Sequence, residues 1–275
     1  MTDHSPIFKD IEIESDVPFV TSDNITLYSD IYRPSTNVRC PALLLRMPYN
    51  KETAQAYCYA HPIRYAEQGY VVVVQDTRGR YKSEGEFYPF SHEDTDGFET
   101  ISWISKLPFC DGQVGTYGFS YPGMVQLMSA ILRPPALKTA IPAFTSSDLY
   151  ENWNYVGGAF SLAFNTNWAT TLAQNTARKL KRDELSLQIN QAFMEYPGRS
   201  WRLPLSDVNS PYDFDAVAPY YSDWLNHPTR DNYWKRKSVQ EQYKKINIPM
   251  LHLGGWYDTF LEGTIRNYLN LKDQN

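Results

Sequence analysis

Residues 112–123 read Gly-Gln-Val-Gly-Thr-Tyr-Gly-Phe-Ser-Tyr-Pro-Gly, and no other stretch restricts the path of this chain so tightly. A β-like run is delivered into a tight Gly-x-Ser turn, and a helix-compatible stretch starts at Tyr121. That is the shape of a nucleophile elbow, which holds a serine hydroxyl exposed on a strained strand-to-helix corner. It makes Ser120 the first candidate for covalent chemistry. The general pattern is G-x-S-x-G, whereas here Pro122 takes the place of the second glycine and Gly123 follows one residue later. Gly-x-Ser is a common tripeptide, so on the motif alone a purely structural turn stays open.

The surrounding pattern supplies the sheet that such a turn needs. Ile25–Tyr32 alternates apolar and polar residues, and with the preceding segment it predicts two antiparallel strands turning at Ser22-Asp23-Asn24. Ala42–Leu45 and Val71–Val74 are continuous apolar runs, as strands buried on both faces are. A helix is expected over roughly 55–68, closed by Gly69, and another over 93–106, where Phe98, Ile101, Trp103 and Ile104 recur near helical spacing. Leu137–Pro142 and Ile248–Leu253 read as further strands. Alternating apolar strands and amphipathic helices predict an α/β fold with a mainly parallel sheet and flanking helices. The rhythm breaks from about 147 to 242. That span holds five of the seven tryptophans and Pro197, Pro204, Pro211, Pro219 and Pro228. We expect residues 1–146 to be the first part of a sheet domain, 147–242 an inserted helical cap, and 243–275 the second part of the sheet domain. The basic run Arg178, Lys179, Lys181, Arg182 reads as a solvated helix face.

Composition excludes several function classes. A net charge of −5 gives no electrostatic case for binding nucleic acid or an anionic membrane. The longest apolar runs are far too short to span a bilayer. Met1–Phe19 has neither a basic start nor an apolar core of the signal-peptide kind, and the cysteines are three (Cys40, Cys58, Cys110), without a CxxC pair. Together these predict a cytoplasmic protein with no metal site and no cofactor.

Further motifs lie at strand ends. Arg46-Met47-Pro48-Tyr49-Asn50-Lys51 follows one predicted strand, and Gln75-Asp76-Thr77-Arg78-Gly79, with Ser83-Glu84-Gly85, follows the next. With Gly-Phe-Ser-Tyr-Pro-Gly and Gly254-Gly255-Trp256-Tyr257-Asp258, these resemble the family of cocaine esterase, α-amino-acid ester hydrolases and X-Pro dipeptidyl-peptidases. The resemblance runs from about Val20 to the end, and the family's elbow is G-x-S-Y-x-G, which fits Pro122. It implies an α/β-hydrolase fold and hydrolysis of a small-molecule ester or amide through an acyl-serine. It also implies roles: Ser120 as nucleophile, Asp258 as the acid orienting a histidine, and the Tyr49 hydroxyl with the Tyr121 backbone N–H as the oxyanion hole. Two fixed donors stabilise the negative oxygen of a tetrahedral intermediate. Trp153, Trp256 and Phe260 are candidates for an acyl or leaving-group pocket, with ordinary core packing as the alternative. For Tyr49 the alternative is a packed loop tyrosine, and for Asp258 a helix N-cap. Asp76 and Arg78 read as a structural ion pair or turn clamp.

In the chain order serine, acid, histidine, the histidine should come after Asp258, yet Thr259–Asn275 contains none. His4, His61, His92, His227 and His252 all precede it. The expectation is a hydrolase lacking its C-terminal part, with its catalytic histidine, and impaired as it stands. An uncovered sheet edge would then favour homo-oligomers. The alternatives are a non-catalytic remnant that binds a small acyl compound or a partner chain, and an enzyme assembled from two chains.

Overall fold

The computed structural model describes residues 7–54, 60–195 and 214–273. They fall into two compact units. The first comprises the chain up to Glu86, Phe90–Ser147 and the chain from Val239 on. The second comprises Phe87–Pro89 and Asp148–Ser238.

The first unit is built on a six-stranded sheet: β1 (Ile11–Val20), β2 (Thr26–Pro34), β3 (Cys40–Met47), β4 (Val71–Asp76), β5 (Cys110–Phe119) and β6 (Leu137–Ala143), in the order β1-β2-β4-β3-β5-β6. β1, β2 and β4 pair antiparallel, and β4, β3, β5 and β6 pair parallel. Every residue of β4 is buried, which explains its unbroken apolar run: both faces are covered. On one side Val72 and Val74 join Leu45, Met47, Tyr117 and Ala66 in a common core.

Three helices follow these strands: α1 (Pro62–Ala66), α2 (Glu93–Ile104) and α3 (Tyr121–Ala130). α1 is shorter than the expected helix. His61 caps it by accepting the Ile63 N–H, and residues 55–59 lie outside the described residues. α3 is buried along its whole length. The expected strand at 248–253 is only partly realised. The segment runs parallel to β6, with isolated bridges at Ala140–Met250 and Ala143–Leu253. Pro249 has no N–H to give the ladder, so regular pairing does not form there. A helix, Leu261–Leu271, follows.

The second unit holds α4 (Leu162–Lys179), α5 (Asp183–Met194), α6 (Pro219–Asn226), α7 (Asn232–Lys235) and a two-stranded ribbon, Tyr155–Val156 with Ala159–Phe160. Its core is aromatic. Trp168 stacks on Trp224 at 5.7 Å, and Trp153 lies 5.9 Å from Trp168. At the unit's ends, buried Asp148 accepts bonds from Ser238 (2.6 Å) and Arg230 (2.6 Å). No helix among the described residues is long and apolar enough to cross a membrane.

Candidate active site

The chain steps from β3 outward to β4 and then returns to the other side of β3 for β5. Such a switch point opens a crevice at the carboxyl ends of the two diverging strands. The loop after β3 carries Tyr49, and the turn after β5 carries Ser120.

Ser120 has φ 61° and ψ −124°, a combination that costs a non-glycine residue about 1–3 kcal/mol and persists only when its surroundings fix it. They do. The Ser120 N–H donates to Ala143 O on β6 (2.9 Å), and its carbonyl accepts from Gly123 N–H (2.8 Å), Met124 N–H (3.0 Å) and the Thr145 hydroxyl (2.9 Å). The two flanking glycines are required by space. A Cβ on Gly118 would come 2.5 Å from Pro122 Cβ, and one on Gly123 would come 2.9 Å from the Ala143 carbonyl. The unusual order of the motif is thereby explained. Close approach to β6 falls at Gly123, while Pro122 occupies the first turn of α3, where no N–H is needed.

Tyr121 opens α3, at the helix end where backbone N–H groups have no intrahelical acceptor. Its side chain is fully buried. The hydroxyl donates to Glu93 Oε1 (2.6 Å) and accepts the Phe90 N–H (3.2 Å), and the ring stacks on Phe90 at 4.1 Å. Glu93 also takes Arg46 Nη1 at 2.6 Å. Burial pushes the Glu93 carboxyl above its usual range, against the pull of Arg46 and the Tyr121 hydroxyl. Gln126, which sequence reasoning overlooked, ties the elbow from beneath. Its amide donates to Gly118 O (3.1 Å), Pro122 O (2.9 Å) and Ile141 O (3.2 Å), and accepts the Ile141 N–H (3.0 Å).

Tyr49 is half-buried, with its ring edge-on to Tyr121 at 6.5 Å. The next residue, Asn50, has φ 84° and ψ 114°. Lys51 then turns inward: its ammonium is 1% exposed and bonds Asp30 and Asp16 at 2.7 Å each. Burial works to lower its pKa, and the two carboxylates outweigh that and leave it raised. Asp76 and Arg78 do not pair with each other. Arg78 binds Asp96 and Asp23, whereas Asp76 Oδ1 accepts the Lys51 backbone N–H at 2.8 Å.

Asp258 follows the 249–253 segment. Phe144, adjacent to the Ser120 acceptor Ala143, donates its N–H to Leu253 O (2.7 Å), so the ends of β5, β6 and this segment stand side by side at one edge of the sheet. Asp258 is not the N-cap of the following helix, a place that Phe260 takes, but its carboxylate accepts the Phe260 N–H. Its other oxygen, Oδ2, is shielded from solvent and accepts no hydrogen bond among the described residues. Burial raises its pKa, with the Phe260 bond pulling the other way.

Phe260 is buried, 4% exposed, while Trp256 is 88% exposed. Trp256 lines a hollow of about 380 Å³ with His252, Gly254, Leu261, Ile265 and Tyr268, to which Ser120 does not contribute. Trp153 belongs to the aromatic core of the second unit. His252 is half-buried and burial lowers its pKa; His61 and His92 begin helices, and His227 pairs with Asp231. His4 lies outside the described residues. Cys40 and Cys110 are buried, unbridged neighbours on β3 and β5. Among the described residues, no group of three His, Cys, Asp or Glu side chains gathers as a metal ion would need.

Comparison with known proteins agrees with this architecture. The cocaine esterase of Rhodococcus sp. (strain MB1 Bresler) is 32% identical over 270 residues, covering 95% of this chain and 46% of the esterase. A CocE/NonD family hydrolase from Staphylococcus aureus superposes with a TM-score of 0.75 at 22% identity, over 97% of this chain and 45% of its own. An aminopeptidase from a marine sediment archaeon superposes with a TM-score of 0.71 at 21% identity, over 100% of this chain and 47% of its own. The chain thus spans less than half the length of these relatives. Residues 23–275 match the X-Pro dipeptidyl-peptidase (S15 family) profile, and the chain belongs to that family of serine hydrolases, with the α/β-hydrolase fold.

Proposed function

We propose that the protein hydrolyses small-molecule esters or amides through an acyl intermediate on Ser120. The observation that carries this reading is the strained Ser120 backbone at the end of β5, held by hydrogen bonds to Ala143, Gly123, Met124 and Thr145. Other non-glycine residues also have positive φ, but ψ −124° takes Ser120 outside the left-handed region that ordinary turns use. In this reading the Ser120 hydroxyl attacks the carbonyl carbon, and its proton passes to a histidine oriented by Asp258. The Tyr49 hydroxyl and the Tyr121 N–H hold the oxyanion. The tetrahedral intermediate expels the alcohol or amine, and water repeats the sequence to free the acid. The shielded Oδ2 of Asp258, which accepts no hydrogen bond among the described residues, suits an imidazole N–H, because a carboxylate shielded from water gains most from a charged partner. We assign the second unit to the helical cap expected at 147–242.

Rapid mixing of the full-length protein with a p-nitrophenyl ester tests the reading. A burst of one p-nitrophenol per active chain is expected, with the acyl mass on the peptide that contains Ser120. Linear release with no acyl-peptide contradicts it.

A further inference from the structure

We propose that Asp76 positions the Tyr49 hydroxyl by holding the backbone of Lys51; this rests on the reading of Tyr49 as an oxyanion donor. The loop that carries Tyr49 is gripped on both flanks. Before it, the Pro48 carbonyl accepts a 2.9 Å bond from Arg80 Nε, and Arg80 is buried. After it, Asp76 takes the Lys51 N–H, and the Lys51 side chain is pinned to Asp30 on β2. Between the two grips Asn50 has φ 84° and ψ 114°, outside the left-handed region that asparagine tolerates. A loop held this way has little freedom, and the Tyr49 ring rests edge-on against Tyr121, itself locked in the core.

Asp76 is an unfavourable choice if β4 only needs an ending. It is fully buried, and among the described residues its Oδ2 accepts no well-formed hydrogen bond, although the Lys82 backbone N–H also draws on the carboxylate. Unsatisfied buried groups are rare and call for an explanation. An ionised acceptor makes a shorter, stronger bond to a backbone N–H than a neutral one, which fixes the loop more firmly. Asp76 also stands directly opposite Met47 in the β3–β4 register, at the root of the Tyr49 loop. Its placement serves that loop.

The test is a double-mutant cycle on kcat for p-nitrophenyl ester hydrolysis by the full-length protein. Tyr49→Phe is expected to cost about 100-fold or more. Asp76→Ala is expected to cost about 10- to 100-fold in kcat, with KM little changed, because a small misplacement of a catalytic donor suffices for that. In the Tyr49→Phe background the same substitution should cost less than about 2-fold, since its effect passes through Tyr49. Asp76→Asn keeps an acceptor for the Lys51 N–H and should restore most of the rate. Equal losses in both backgrounds, or no loss from Tyr49→Phe, overturn the proposal. If Asp76→Ala fails to fold, Asp76→Ser, too short to reach the Lys51 N–H, enters the same cycle. Ser120→Ala run alongside separates the two claims. If it keeps the wild-type rate, the acyl-serine reading falls and this proposal with it; if it abolishes turnover while the cycle is additive, this proposal alone falls.

Discussion

The Tyr121 hydroxyl donates a 2.6 Å hydrogen bond to Glu93 Oε1 inside the core, one residue from the strained Ser120. The side chain that follows the candidate nucleophile is thereby anchored to α2 and, through Glu93, to Arg46 on β3. Tyr121→Phe keeps the ring but leaves a buried carboxylate short of a donor. It should destabilise the fold by about 1–3 kcal/mol, read as the shift in the urea unfolding midpoint. An unchanged midpoint would show that Arg46 alone satisfies Glu93.

Ser120 should exchange stability for reactivity. Ser120→Gly relieves the positive φ but makes the unfolded chain more flexible. The net expectation is a gain of about 0.5–2 kcal/mol in unfolding free energy, together with loss of activity. Thermal unfolding of the two proteins checks it, and a less stable Ser120→Gly protein would contradict the strain.

Much of this architecture could be read from local pattern. The apolar runs at 42–45 and 71–74 and the Gly-x-Ser turn are set by neighbours in sequence, and they became β3, β4 and the elbow. The strand expected at 248–253 formed only bridges, because Pro249 and pairing on one side leave it irregular. The supports of the site were not legible. Gln126 binding the elbow carbonyls, and Asp76 binding Lys51 25 residues away, depend on which strands become neighbours. No local periodicity encodes that. Arg78 illustrates the same point: its partners proved to be Asp23 and Asp96, distant in sequence, and not Asp76.

The buried Asp76 carboxyl should leave a signature in the pH dependence of stability. Burial, offset in part by Lys51, pushes its pKa up to about 6 from an ordinary 3.8. The folded state therefore keeps a proton that the unfolded state releases. The sign follows: stability tied to this group is full below pH 3.8 and is lost as pH rises towards about 6. Asp76→Asn removes the titration. Wild type should weaken relative to this variant by about 1–3 kcal/mol between pH 4 and 7 in urea unfolding. Parallel curves across that range would contradict the burial of a charge.

Asp258 offers a chemical-rescue test in the 275-residue chain. Free imidazole, a small ring with one N–H for Oδ2 and one nitrogen for the serine proton, should accelerate labelling of Ser120 by a fluorophosphonate. Asp258→Ala should abolish the acceleration. Acceleration that survives Asp258→Ala would remove Asp258 from the site.

The central claim is that Ser120 is the nucleophile. Its most direct measurement is the reaction of the full-length protein with a fluorophosphonate, the adduct located by peptide mass mapping and turnover compared with Ser120→Ala. The account predicts a single adduct on Ser120 and a fall in ester hydrolysis of at least about 1,000-fold in the variant. An adduct on another residue, or a Ser120→Ala protein that keeps its rate, would contradict it.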